Sequence, residues 1–250
     1  MKVALLLVIF LFGIAGLVYL LFFAGLFEVK TISVRGNTIV PTTDIERPIR
    51  DWLDQKKFGI ARKSNSLLFS LENLRAIISA NISTIDSIKS SRTSLHEIIF
   101  EVTERKAVGI WCFQPASACY LFDKHGTIYG QTFLTDGLIY ITVKDFRSRE
   151  IKIGDSIADE FYRNILLAKE ELVKAGLTVI EFSIPENSFA EFHAKVIGEN
   201  APFLVKLSQM TNIPEQINSL SLFLKKTSGS TRALNFEYID LRIQDRIYYK

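Results

Sequence analysis

The chain has 250 residues, of which 23% are charged and 48% hydrophobic, and its formal net charge at pH 7 is +3. This composition is sufficient for a buried core, which excludes an intrinsically disordered chain. Acidic and basic residues are mixed along the sequence, so no basic face of the kind that binds nucleic acid is expected.

The first predicted element is an uncharged segment, residues 3–27, which follows only Met1 and Lys2. In a helix it would extend about 37 Å, enough to cross a hydrocarbon core of roughly 30 Å. A cleaved signal peptide would have a shorter apolar core and small residues at its cleavage site, whereas bulky Leu26 and Phe27 end this segment. We therefore predict a transmembrane helix over 3–27 behind a two-residue tail. The flanking charges do not decide its orientation.

Residues 28–105 predict a small α+β unit with two helices on one face of a sheet. The first helix contains Pro48, which predicts a kink or a late helix start near Arg47. The second helix follows Ser70, whose hydroxyl can accept a hydrogen bond from the first helical turn. The order is strand, helix, helix, strand, strand, over residues 29–34, 45–53, 71–78, 82–88 and 95–102.

Residues 106–250 predict a mixed antiparallel sheet with helices on one face. A long helix follows Asp159 and ends at Gly176, and a second helix covers residues 213–225. The predicted strands cover residues 109–111, 120–122, 178–184, 189–196, 203–207, 236–241 and 243–249.

Cys112 and Cys119 are the only cysteines in the chain, and they lie on the two sides of a predicted hairpin. Facing positions on antiparallel strands are about 4.5–5.5 Å apart, within reach of a disulfide. Such a bond is typical of oxidising compartments outside the cytoplasm. Two ordinary thiols are the alternative. A metal site needs more ligands than this pair, and the nearest histidine, His125, lies in a predicted turn, so we expect no metal site.

No recognisable motif predicts catalysis. His96 and His193 are isolated in strand-like segments, and no nucleophile elbow, phosphate-binding glycine loop or zinc-protease motif is present. Glu170 and Glu171 lie on a helix with Lys174, which is typical of a solvated face. We therefore expect a protein that is not an enzyme and that uses no cofactor.

Four segments together carry a family pattern. Residues 27–37 (FEVKTISVRGN) are similar to the opening of a POTRA domain, and residues 98–111 (IIFEVTERKAVGIW) are similar to its last strand and exit. Residues 120–129 (YLFDKHGTIY) and 238–242 (YIDLR) complete the pattern. The chain thus resembles the FtsQ/DivIB family of bacterial cell-division proteins. It departs from the usual family pattern at Lys106, where a proline is common.

The resemblance implies a membrane anchor over residues 3–27, a POTRA-like domain over 28–105 and an FtsQ-type β domain over 106–250. It implies a single-pass protein of the cytoplasmic (inner) membrane, with its N-terminus in the cytoplasm, its body outside and its place at the division septum. The implied function is that of a divisome scaffold without turnover. The implied partners are single-pass coiled-coil proteins of the FtsB/DivIC and FtsL types and other divisome members.

The last strand is the predicted partner-binding site. An edge strand leaves backbone donors and acceptors free, which a partner strand can use, although charged residues often protect such an edge. The resemblance implies that the strand after the YIDLR motif binds the FtsB/DivIC-type partner. The positions carried over to this chain are Arg242, Ile243, Asp245, Arg246, Ile247 and Tyr248.

Two functions from other classes stay open at this point. One is a POTRA-containing secretion or outer-membrane assembly factor, but such proteins continue into a barrel of long two-faced strands, a pattern that is missing here. The other is a membrane-anchored extracytoplasmic hydrolase, for which the sequence offers no catalytic motif.

Overall fold

The structure is a computed structural model that describes residues 2–23, 25–57, 61–114, 118–133, 140–198, 201–228 and 235–250. The chain forms two compact units, residues 1–105 and 106–250. It is an α+β protein with one apolar N-terminal helix and a large mixed sheet. The predicted α+β class is therefore confirmed, and so is the presence of the apolar helix.

The N-terminal helix α1 covers Lys2–Phe22. Its segment Leu5–Phe22 has a mean hydropathy of 2.9 and is long and apolar enough to cross a membrane. The apolar side chains of this segment are mostly exposed rather than packed in a core. The helix ends before the predicted limit at residue 27, because the chain turns at Gly25, whose φ is 68°.

The described residues that follow α1 in the first unit form a three-stranded sheet, two helices and a short hairpin. Its elements are β1 (Thr31–Arg35), α2 (Thr42–Leu53), β2 (Lys56–Lys57), β3 (Ala61–Arg62), α3 (Leu71–Asn81), β4 (Ile85–Arg92) and β5 (Glu97–Glu104). The sheet order is β1-β5-β4, with β1 parallel and β4 antiparallel to β5. The hairpin formed by β2 and β3 was not predicted.

The core of this unit lies between the two helices and the sheet. Ile45 and Ile49 of α2, Ile78 of α3 and Phe100 of β5 are all fully buried. The helix α2 begins at Thr42 and continues through Pro48, so the late start considered for it is wrong. The predicted cap of α3 is present, because the Ser70 hydroxyl accepts a hydrogen bond from the Asn73 N–H at 3.3 Å.

Within the described residues, the second unit contains a nine-stranded sheet and two helices. The strands have the order β14-β13-β12-β11-β10-β9-β6-β7-β8. The elements are β6 (Gly109–Phe113), β7 (Ala118–Phe122), β8 (Ile128–Thr132), β9 (Ile141–Asp145), α4 (Glu160–Lys174), β10 (Thr178–Ile184), β11 (Glu191–Ile197), β12 (Pro202–Ser208), α5 (Ile213–Ser228), β13 (Tyr238–Asp240) and β14 (Tyr248–Tyr249).

The sheet is mixed, because β9 is parallel to both β6 and β10, and β13 is parallel to β12. The other neighbouring strands are antiparallel. Alternate residues of a strand point to opposite faces, and the helices pack on the face that carries Trp111 and Phe192. Ile110, Cys112 and Cys119 form a separate buried cluster.

The helix α4 has the boundaries that its sequence signals predict. The Asp159 side chain accepts a hydrogen bond from the Tyr162 N–H at 3.0 Å at the N-terminus. At the other end, Gly176 adopts a φ of 83°, a conformation that glycine tolerates after a helix. Its buried residues Phe161, Ile165 and Leu172 lie at helical spacing and join the core of the second unit.

Candidate partner-binding site

The six predicted partner-binding residues lie where β13 leads into β14, the last strand in the sheet order. Tyr248 belongs to β14 and faces Asp240 of β13 in the antiparallel register. The other five lie in the connection between the two strands. A strand over residues 243–249, as the sequence predicted, is therefore wrong, since β14 covers only Tyr248–Tyr249. The residues in the connection are Arg242, Ile243, Asp245, Arg246 and Ile247.

A turn at Asp245 shortens the strand. This residue has a φ of 59°, in the left-handed region, which aspartate visits more readily than most non-glycine residues. The Arg246 N–H donates a hydrogen bond to the Ile243 carbonyl at 3.3 Å across the turn. The chain consequently reverses direction before it pairs with β13.

Arg242 is held by two carboxylates of its own chain. Its guanidinium donates to both oxygens of Asp240, at 2.9 and 2.6 Å, and also to Glu191 at the start of β11. The hydrogen bonds with Asp240 raise the pKa of Arg242. The hydrogen bond with Glu191 raises it further, whereas burial opposes the shift. Arg242 therefore fixes the exit from β13 and is less available to a partner than the resemblance implies.

His193 and Lys206 lie in one row with this ion pair. The sheet register places His193 of β11 opposite Lys206 of β12, and Lys206 opposite Asp240 of β13. Burial lowers the pKa of His193; Lys206 and Arg242 lower it further, whereas Glu191 and Asp240 oppose the shift. Within the described part of the chain, the buried Nε2 of His193 has no hydrogen-bond partner, and Glu191 Oε1 is 3.9 Å away.

Exposed apolar and aromatic side chains surround the turn. Ile243 is 54% exposed and Tyr248 is 46% exposed. Tyr249 is also exposed, but its ring packs against Phe223 and Phe236 at centroid distances of 5.2 and 5.8 Å. Tyrosine is a frequent anchor of protein interfaces. The surface thus offers two side chains, Ile243 and Tyr248, that a partner can cover.

A groove of about 160 Å³ lies between this turn and the first turn of α5. Thr211 and Glu215 line one side, and Ile243 and Arg246 line the other. Among the described residues, the buried hydroxyl of Thr211 has no hydrogen-bond partner. No sequence pattern predicts this groove, because Thr211 lies about thirty residues before the turn and belongs to no motif. It can receive one side chain or a short segment of a partner.

The strand β14 has a small free edge. Its flanking residue Lys250 exchanges backbone hydrogen bonds with Tyr238, at 3.2 and 3.4 Å, so one side of the strand is paired. In the part of the chain that the structure describes, no further strand follows β14 in the sheet order. Short edge strands are one way in which proteins limit unwanted pairing. A partner strand at this edge could form only a few backbone hydrogen bonds.

The other residues considered from the sequence are not among those that form this site. Cys112 and Cys119 face each other on β6 and β7, with Cα atoms 4.0 Å apart, and are joined by a disulfide. His96 Nδ1 lies 2.7 Å from the Glu28 carbonyl oxygen, and His125 is exposed in a turn. Among the described residues, no group of His, Cys, Asp and Glu side chains could hold a metal ion.

A scan against protein-family models finds no match for this chain, and a search of the curated proteins finds none either.

Proposed function

We propose that this chain is a single-pass scaffold of the bacterial division machinery. The helix α1 anchors it in the cytoplasmic membrane, and residues 28–250 lie outside the cytoplasm. At the septum it binds single-pass coiled-coil proteins of the FtsB/DivIC and FtsL types, without turnover. The observation that carries the proposal is an exposed pair of side chains: Ile243, which directly follows the YIDLR motif, and Tyr248, which belongs to the edge strand β14.

The architecture of the first unit supports a POTRA-like domain. Apart from the short β2–β3 hairpin, its elements after α1 follow the order strand, helix, helix, strand, strand. The disulfide between Cys112 and Cys119 supports a location outside the cytoplasm, because such bonds persist in oxidising compartments. The apolar helix α1 supports a membrane anchor.

At this site, side-chain contacts contribute more to partner binding than backbone pairing does. Strand addition gives affinity through main-chain hydrogen bonds, and β14 has only two residues to offer. Ile243, before this strand, and Tyr248, within it, supply apolar and aromatic contacts, and the groove at Thr211 accepts a further group of the partner. The first unit, close to the membrane, contacts other divisome members.

The proposal is tested by affinity purification of the full-length chain from its native membranes. The double variant I243D/Y248D is compared with I153D/V173D, because all four residues are exposed and apolar or aromatic and lie in the second unit. We expect small single-pass proteins with coiled-coil heptads to co-purify with the wild type and the control variant. They should be lost from I243D/Y248D, since aspartate removes the apolar anchors and adds charge.

Two results would contradict the proposal in different ways. If a folded I243D/Y248D variant keeps the same partners, the binding surface lies elsewhere. If no coiled-coil membrane protein co-purifies with the wild type, the scaffold function itself is wrong. Circular dichroism of each variant shows whether its fold is retained.

A further inference from the structure

His193 carries an unpaired ring nitrogen close to the carboxylate that holds Arg242. It lies on the sheet face opposite the helices, since its neighbours Phe192 and Ala194 both point into the core. Within the described residues, its buried Nε2 has no hydrogen-bond partner. Glu191 Oε1 is 3.9 Å away, which is beyond hydrogen-bond distance. The neutral ring therefore forms no bond with Glu191.

The Glu191 carboxylate is held on one side only. Its Oε2 accepts a hydrogen bond from Arg242 Nη1, which ties the exit from β13 to the start of β11. Among the hydrogen bonds of the described residues, none goes to Glu191 Oε1. Both oxygens of Asp240, by contrast, already accept from the Arg242 guanidinium at 2.9 and 2.6 Å. Glu191 Oε1 is thus the acceptor available to a proton on His193 Nε2.

The other groups that face the ring come from the neighbouring strands. Ser183 of β10 and Lys206 of β12 lie opposite His193 in the register. Glu181 of β10 is paired with Lys144 at 2.7 Å, so it is engaged elsewhere. The charged residues around the ring are Glu191 and Lys195 on its own strand, Glu181 on β10, Lys206 on β12, Asp240 on β13 and Arg242 just after β13.

We infer that His193 is a pH switch for the turn that carries Ile243. When Nε2 takes up a proton it donates to Glu191 Oε1, which must approach by about 1 Å to reach hydrogen-bond distance. This shift draws Glu191 away from Arg242, and the imidazolium repels the guanidinium as well. Arg242 then keeps Asp240 alone, and the turn loses its tie to β11. The inference rests on the proposed function, because this turn is the proposed partner-binding site, and acid therefore weakens partner binding.

The electrostatics of the site agree with this direction. Burial lowers the pKa of His193 below 6.5, Lys206 and Arg242 lower it further, and Glu191 and Asp240 oppose the shift. Linkage between two groups is reciprocal. Since Arg242 disfavours the protonated ring, a proton on His193 disfavours Arg242 in its present position by the same free energy. The turn is consequently fixed above pH 6.5 and released as the pH falls below that value.

The test is hydrogen exchange in the full-length chain in detergent micelles, from pH about 7.5 to about 5, corrected for the intrinsic exchange rates. The Arg246 amide, which donates to the Ile243 carbonyl, reports on the turn. The Leu172 amide within α4 reports on unfolding of the whole unit. Protection at Arg246 should fall severalfold in the wild type and stay constant in H193Q, whereas protection at Leu172 should change much less. The control H125Q replaces an exposed histidine of the same unit and should behave like the wild type.

The imidazole titration of His193 supplies a second readout. Its NMR signal is the histidine signal that is absent from H193Q, and its midpoint should coincide with the loss of protection at Arg246. E191Q should lower this midpoint, because the Glu191 charge raises the pKa of His193. The same loss at Arg246 in H193Q, an equal loss at Leu172, or a midpoint that differs from that of the imidazole would each overturn the switch.

Purification from native membranes at the two ends of this pH range separates the switch from the proposed function. The wild type should lose most of its coiled-coil partners at the lower pH, and H193Q should keep them. If no such partner co-purifies at the higher pH although Arg246 follows His193, the scaffold function is wrong and the switch in the turn stands. If the partners stay bound at the lower pH while Arg246 loses its protection, the effect on partner binding is overturned.

Discussion

The Arg242 guanidinium donates hydrogen bonds to both carboxylate oxygens of Asp240, two residues before it. Arg147 makes the same contacts with Asp145, at 2.9 and 2.7 Å. In both pairs the backbone N–H of the arginine also donates to the aspartate Oδ1, at 3.1 Å. Asp145 ends β9 and Asp240 ends β13, so an Asp-x-Arg pair closes two strands of one sheet in the same way.

The two pairs differ in burial, which predicts different costs on substitution. Asp145 is fully buried and also accepts a hydrogen bond from Trp111 Nε1 at 3.1 Å. D145N should lower the free energy of unfolding by about 3 kcal/mol, because it leaves the largely buried Arg147 without its full counter-charge. D240N should cost only about 1 kcal/mol, since Arg242 keeps Glu191 and is more exposed. Urea unfolding measures both, and equal costs would contradict this ranking.

Glu104 holds the turn between β1 and α2. Its carboxylate accepts hydrogen bonds from the N–H groups of Thr38, Ile39 and Val40 and from the Thr38 hydroxyl. Burial alone would raise its pKa, but these hydrogen bonds lower it to about 2, from an ordinary value of 4.5. The stabilisation is therefore complete above pH 4.5 and is lost as the pH falls through about 2.

The substitution E104Q should destabilise this turn at neutral pH by about 1 kcal/mol, because the contacts are partly exposed to solvent. Hydrogen exchange at the amides of residues 38–40 is the direct measurement and should become faster in the variant. The difference from the wild type should shrink as the pH is lowered toward 2. A difference that does not change with pH would argue against the ionised carboxylate as its cause.

His193 predicts a pH dependence of the second unit. Burial lowers its pKa below the ordinary value of 6.5, so the folded state binds a proton less readily than the unfolded state does. Stability should therefore fall as the pH drops below 6.5 and is highest above that value. H193Q cannot take up the proton and should flatten this part of the profile. The free energies of unfolding of the wild type and H193Q are compared at pH values above and below 6.5. If both fall equally as the pH drops, other groups cause the effect.

The disulfide should stabilise the hairpin of β6 and β7. Cys112 and Cys119 are seven residues apart, and closing so short a loop restricts the unfolded chain by about 2.5 kcal/mol. We expect C112A/C119A to lose a similar amount. A reducing agent should lower the stability of the wild type and leave that of the variant unchanged. If it lowers both equally, the loss does not come from this bond.

Local patterns predicted the elements whose buried residues repeat with a clear period. The helix α4, between the Asp159 cap and Gly176, and the strand Thr178–Ile184 were found with the expected boundaries. The strand Ile141–Asp145 was not predicted, although four of its five residues are buried. It is short and nearly buried on both faces, so it lacks the polar-apolar alternation that marks a half-exposed strand.

For the candidate partner-binding site, the sequence predicted where its residues lie along the chain but not the contacts that they make. Tyr248 does lie in the last strand, but the contact of Arg242 with Glu191 joins residues 51 positions apart. The groove at Thr211 also depends on how α5 approaches the turn at Asp245. Contacts between distant segments leave no periodic signal, so a single sequence cannot reveal them.

The strand β9 joins two groups of strands that are otherwise consecutive in the chain. On one side it pairs with β6, which continues into β7 and β8, and on the other side with β10, which continues into β11 and β12. Gly109 permits the close approach, because any side chain there would collide with the Ile141 carbonyl. Each group forms from local hairpins, whereas β9 must be inserted between them by non-local parallel pairing. The five residues of β9 thus connect the two groups into one sheet. We expect the two groups to unfold together, because neither forms a complete sheet without β9.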